Sequence, residues 1–154
     1  MSETIRSETL RIATVLAKEF EGLYLLPYYC PAGVATQGYG TVWKPNGTKV
    51  IITDPPITKE IAEQWLYDTL VQTMAAVLRT SPNLINHPKK LGAVTDFAFN
   101  LGVTRYRAST FRKRIDASDW DEAVIELNKW VRGGGRVLPG LVRRRKAESL
   151  YFQK

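Results

Sequence analysis

From Thr58 to Arg79 the chain meets no glycine and no proline, and Ile61, Trp65, Leu66, Leu70 and Val77 recur at helical intervals. Thr58 suits the N-cap of this helix and Glu60 its first turn, where the helix dipole favours an acid. A long helix of this kind constrains the whole fold, because the sequence has a different texture on each side of it. Before it, residues 30 to 56 are punctuated by Gly33, Gly38, Gly40 and Asp54-Pro55-Pro56. After it, only helical patterns follow. The long helix therefore reads as the link between a small β-containing lobe and a helical one.

The first third opens with a helix over residues 7 to 20, where Leu10, Ala13, Thr14, Ala17 and Phe20 share a face, and it ends near Glu21-Gly22. Thr41-Val42-Trp43 and Lys49-Val50-Ile51-Ile52 flank Pro45-Asn46-Gly47, the pattern of a β-hairpin. EGLYLLPYYCPAGVAT, residues 21 to 36, reads as a second hairpin carrying chemistry. Beyond the long helix, Pro82 and Pro88 bracket a break. Leu91, Val94, Phe97, Ala98 and Leu101 then mark a helix that Gly102 can end. Ser118 with Asp121 resembles a capping box for a helix through Ala123, Leu127 and Trp130. Gly133-Gly134-Gly135 closes it, and Pro139 can open the last helix, over Leu141, Val142, Leu150 and Tyr151. A chain of 154 residues makes one domain or two lobes sharing a core. The expected fold is α+β, mainly helical: an N-terminal helix and β lobe over 1–57, a linking helix over 58–80 and a helical lobe over 81–154.

The net charge of +7 is unevenly spread. Residues 1 to 100 hold nine Lys/Arg and nine Asp/Glu, whereas residues 101 to 154 hold thirteen against six. Arg105, Arg107, Arg112, Lys113 and Arg114 form one cluster, and Arg132, Arg136, Arg143, Arg144, Arg145 and Lys146 another. Such a field favours a polyanionic partner, either an anionic envelope surface or an acidic polymer, or else it serves solubility alone. Nucleic acid is not the expected partner, since no helix-turn-helix or aromatic-basic platform accompanies the charge. No apolar run approaches the ~20 residues that span a bilayer, and the N-terminus lacks the apolar block of a secretory signal. Cys30 is the single cysteine, so no intramolecular disulfide forms, which fits a reducing cytoplasm.

Few residues carry catalytic potential. His87, the only histidine, sits beside Pro88 at a helix start and receives no catalytic role. No metal-ligand cluster, P-loop or EF-hand pattern is present, and no cofactor is expected. Glu21 stands at a helix exit among Phe20, Leu23, Leu25 and Leu26. There desolvation should raise its pKa and suit it to general acid work, unless an arginine pairs with it. Cys30, Thr36 and Gln37 are the polar side chains within reach across a tight turn. Taken alone, Cys30 reads as a small buried hydrophobe or as a reactive thiol.

These residues carry a resemblance to the phage-type lysozymes, the muramidase endolysins of the T4 lysozyme group. The family pattern is Glu, eight residues, Asp or Cys, five residues, Thr, and the chain has Glu21, Cys30 and Thr36 at those intervals. ITKEIAEQWL (57–66), FAFNLG (97–102), Ser109-Thr110, Trp130-Val131 and LPGLVRRRKAE (138–148) follow in the family's order. The resemblance implies a two-lobed lysozyme-like fold. It also implies hydrolysis of the β-1,4 bond between N-acetylmuramic acid and N-acetylglucosamine in bacterial peptidoglycan, by a monomer. In the family's terms Glu21 is the general acid, Cys30 stands in the aspartate's place and Thr36 orients the water. Arg144 or Arg145 lies behind Glu21. Val42, Phe99 and Thr110 sit where relatives line the saccharide groove, and Val42 and Phe99 serve equally well as core residues. Where some members carry a histidine after the last glycine of the T.G.G stretch, this chain has Thr41. The enzyme is expected in the host cytoplasm until a separate protein permeabilises the inner membrane. A basic membrane-active or wall-binding module, working through the arginine-rich last helix, is the competing reading.

Overall fold

The computed structural model describes residues 1–154. Helix α1, Glu3–Glu21, starts where the Ser2 hydroxyl accepts the N–H of Ile5. A two-stranded antiparallel hairpin follows, β1 (Tyr24–Tyr29) and β2 (Ala35–Gly38). Irregular chain then leads to α2, Lys59–Thr80, capped by Thr58 as its sequence foretells. A 3-10 turn at Pro82–Asn86 leads into α3 (Pro88–Leu101), and α4 (Val103–Ala108), α5 (Thr110–Asp116) and α6 (Trp120–Leu127) come next. A minimal hairpin, β3 (Arg132–Gly133) with β4 (Arg136–Val137), precedes α7, Pro139–Phe152. The α+β, mainly helical architecture is the expected one.

Two local expectations are corrected. The regular hairpin is β1–β2, whereas the runs around Pro45-Asn46-Gly47 meet only at one isolated bridge, Trp43 with Lys49. The bonds from Lys44 N–H to the Thr48 carbonyl and from Val50 N–H to the Val42 carbonyl close a loop, too short to propagate a ladder. Helix α6 is capped by Asp119, not Ser118, which takes a positive φ of 53° and lies outside the helix. On α2 the buried stripe is Ala62, Leu66, Leu70, Thr73, Met74, Ala76 and Val77, while Ile61 is exposed.

Helix α3 runs through the centre, with Leu91 to Ala98 buried without a break. Phe97 meets Phe111 and Trp130 edge-on, with ring centroids 5.0 and 5.7 Å apart. Chain order groups α1 with the hairpin, yet its packing joins it to α3 and α7. Gly92 makes that contact close, since a Cβ there would stand 2.8 Å from Ile12. One core therefore runs from Leu10 and Ala17 on α1 to Phe152 on α7, with Tyr39 joining it from the β lobe. The consequence is positional: the last turn of α1 is pressed between α3 and α7 while its next residues enter the hairpin.

Candidate active site

Glu21 is the last residue of α1, and Gly22 ends the helix at φ 71°. Its side chain is 23% exposed. The Nη1 of Arg144, on α7, donates to Glu21 Oε1 at 2.7 Å. Of the two arginines expected behind Glu21, Arg144 is therefore the one in contact. Arg145 turns the other way, to Asn100 at 2.6 Å and Glu148 at 3.0 Å. Oε2 of Glu21 rests against Gly40, where a Cβ would come within 2.6 Å of it. Gly40 also holds φ at 77°, so both its backbone and its missing side chain are required.

Arg144 is itself held. Asp96 on α3, fully buried, accepts from its Nε at 2.9 Å and its Nη2 at 2.8 Å. Burial pulls the Arg144 guanidinium toward neutrality, but Asp96 and Glu21 outweigh it and keep it charged. Glu148 completes the cluster. Burial first, and the neighbouring Asp96 second, push its carboxyl well above the usual carboxylate range. The cluster thus holds two cations and three carboxyl groups.

The hairpin that follows Glu21 carries the other two residues of the pattern, and neither Cys30 nor Thr36 lines the cavity described below. Tyr28 pairs with Thr36 and Tyr29 with Ala35. Cys30 directly follows β1, its N–H donating to the Val34 carbonyl at 3.0 Å and its carbonyl accepting from Gly33 at 2.8 Å. The turn also aims backbone N–H groups at the sulfur. Val34 chiefly, with Ala32 in support, lowers the Cys30 thiol below its ordinary value, against a smaller opposing effect of burial. Thr36 is buried, and its hydroxyl donates to the Val34 carbonyl at 2.9 Å. The same hydroxyl also hydrogen-bonds the Cys30 sulfur and helps to lower its thiol, while its lone pairs stay open to a further partner. Burial pushes the Tyr28 phenol up, and its neighbours Tyr24, Glu21 and Cys30 add to the effect.

A cavity of about 460 Å³ opens beside Glu21, lined by Arg144, Asn100, Leu138 and Leu141 among others. The expected groove residues lie elsewhere: Val42 half-buried in the β lobe, Phe99 packed against the core and Thr110 exposed at the start of α5. None of the three lines this cavity. His87 precedes α3 and stacks on Trp120 with ring centroids 5.2 Å apart. No group of three His, Cys, Asp or Glu side chains is arranged to hold a metal ion. Sequence reasoning missed Asp96, Glu148, Asn100 and Gly40. The signal for Asp96 was a lone acid inside the apolar run of α3, since such an acid is rarely buried without a partner.

A mainly helical frame with a glutamate pinned beside a two-stranded hairpin is that of a lysozyme-like glycoside hydrolase. The Phage lysozyme family model matches residues 18–148, and the chain belongs to that family. An endolysin of Acyrthosiphon pisum secondary endosymbiont phage 1 is 36% identical over 143 residues, covering 90% of this chain and 93% of its own. Among solved structures, the endolysin from Escherichia coli O157:H7 phage FAHEc1 superposes with a TM-score of 0.79 at 29% identity, covering 92% of this chain and 90% of that one. The muramidase domain of SpmX from Asticaccaulis excentricus gives 0.77 at 26% identity, over 94% and 96%. The protein is a muramidase of the endolysin type.

Proposed function

We propose that the protein cleaves the β-1,4 bond between N-acetylmuramic acid and N-acetylglucosamine in bacterial peptidoglycan and so lyses the host of a phage. Glu21 is the proton donor, Cys30 stands where relatives use aspartate and Thr36 orients water. The observation that carries this reading is Glu21 itself: a carboxyl more than three-quarters buried, fixed by Arg144, open to a cavity between the ends of α1, α3 and α7, and followed directly by the hairpin segment of Cys30 and Thr36.

The chemistry follows from that geometry. Glycoside hydrolysis needs an acid for the leaving oxygen and a second group for the water or the sugar carbon. Glu21 gives its proton to the leaving oxygen. The Thr36 oxygen accepts from a water through a lone pair and turns that water's own lone pair outward. The backbone N–H groups around Cys30 favour the thiolate, the form able to act as base or nucleophile.

Loss of turbidity by purified peptidoglycan, with new reducing ends counted, tests the proposal. Wild type is expected to release reducing ends and Glu21→Gln to release none; an active Glu21→Gln overturns it. The membrane-active alternative loses ground, because Arg144 and Arg145 of the last helix are buried in the fold and unavailable to a lipid surface. The cations that remain outward, Arg105, Arg107, Lys113, Arg114, Arg136 and Lys146 among them, suit attraction of a monomer to an anionic envelope, weakening as salt rises. The reading extends to the route: the enzyme stays in the host cytoplasm until another protein permeabilises the inner membrane. Appearance in the periplasm on expression alone overturns that part.

A further inference from the structure

We infer that Asp96 is a positioning residue for the proton donor, and that Glu21 delivers its proton from Oε2. The inference rests on the role of Glu21 proposed above. Asp96 makes no approach to the cleft, as it is fully buried on α3. It acts through Arg144, whose Nε and Nη2 it takes at 2.9 and 2.8 Å. A planar guanidinium gripped along that edge cannot rotate. Its Nη1 therefore points in one direction, and Glu21 Oε1 lies 2.7 Å away along it.

That contact distinguishes the two carboxyl oxygens. Arg144 never gives up its proton, so Oε1 is an acceptor and a proton on Glu21 sits on Oε2. Oε2 faces Gly40, where only the absence of a side chain leaves it room. Asp96 also divides the charge of Arg144. Facing Glu21 alone, an undivided cation would favour the carboxylate and oppose a proton donor; shared with Asp96, it steers the carboxyl with less cost to its proton. The other ionisable groups near Glu21 are Tyr28 from β1, and Glu19 and Arg143 at the cavity edge. Glu148, 4.0 Å from the Nε of Arg144, is the remaining carboxyl of the cluster, and burial raises it above the usual carboxylate range.

The test is the pH–rate profile of the full chain on purified peptidoglycan, with kcat and KM on a soluble muropeptide. Asp96→Asn keeps the shape of the side chain and removes its charge. It is expected to lower kcat at least about tenfold with KM nearly unchanged, the scale of a misplaced catalytic group. It should also move the basic limb to lower pH, because an unshared Arg144 charge favours the Glu21 carboxylate. Val94→Ala, a cavity in the same buried stretch of α3, destabilises the fold without moving that limb. A folded Asp96→Asn with the wild-type limb and kcat overturns the inference. If Asp96→Asn does not fold, Asp96→Glu decides: it keeps the charge but displaces the fork, so kcat must fall with the limb in place, and full kcat overturns the inference. Activity in Glu21→Gln would sink the underlying assignment instead, so the two failures are distinguishable.

Discussion

The two walls of the active site are built on opposite plans. The Glu21 wall is drawn from residues far apart in sequence, Glu21, Asp96, Arg144 and Glu148, locked together in a buried ionic cluster between three helices. The Cys30 wall is local: two strands and a turn, held by backbone bonds within a few residues. Four of the six residues of β1 are exposed. A buried cluster fixes an atom's position because any displacement strands a charge. A short exposed hairpin tolerates changes of side chain at its turn. Glu21 thus has little freedom to vary, whereas the position of Cys30 tolerates a change of side chain.

The contrast can be broken from either side. Glu21→Gln should cost the most, about a hundredfold or more in kcat, the scale of a lost general acid. It is read as release of reducing ends from purified walls. Gly40→Ala comes next, combining a clash with Glu21 Oε2 and a side chain at φ 77°. About 1–3 kcal/mol of stability should go with most of the activity, measured by denaturant unfolding and turnover together; a variant as stable and as active as wild type would show that Oε2 has room elsewhere.

The Cys30 side should respond more gently and in a graded way. If the thiolate acts, Cys30→Ser loses at least about tenfold, since a hydroxyl stays protonated, while Cys30→Asp stays active. The lowered thiol must ionise before it works, so activity rises as pH climbs through its pKa. An aspartate ionises near its ordinary ~3.9, so Cys30→Asp should move the acid limb to lower pH. Full activity in Cys30→Ser would make the thiol a spectator and the hairpin a scaffold for Thr36 alone.

The smallest effect is on stability. Burial raises the Glu148 carboxyl in the folded state, whereas in the unfolded chain it titrates near the ordinary value of 4.5. Above that value the unfolded state binds fewer protons, so this group makes stability fall as pH rises through the weakly acidic range. Glu148→Gln cannot titrate and should flatten the dependence of Tm on pH between about 5 and 7. An unchanged slope would show that Glu148 is already ionised in the fold.

Much of the fold was legible in the sequence because it follows from local rules. Helix α2 announced itself by period, by its Thr58 cap and by the absence of glycine and proline. The exit of α1 at Glu21-Gly22 and the opening of α7 at Pro139 were equally readable. The loop at Pro45-Asn46-Gly47 was over-read: turn chemistry fixes a reversal, but ladder length depends on what the strands can pack against. The Ser118 cap failed by one residue, because Asp119 offered the same acceptor in a better place.

Within the candidate site, Glu21, Cys30 and Thr36 were singled out by the resemblance to the phage-type lysozymes, and a helix exit followed by a short hairpin keeps them near one another along the chain. Which arginine meets Glu21 could not be read from consecutive residues on a helix, since neighbours point about 100° apart and only packing against α3 selects Arg144. Asp96, 75 residues beyond Glu21 in sequence, entered the cluster only through the close approach of α1, α3 and α7. Local sequence determined which elements form and where they stop, because caps, periods and turns act over a few residues. The tertiary structure decided which charges are buried together, because that depends on helices meeting whose residues share no local signal.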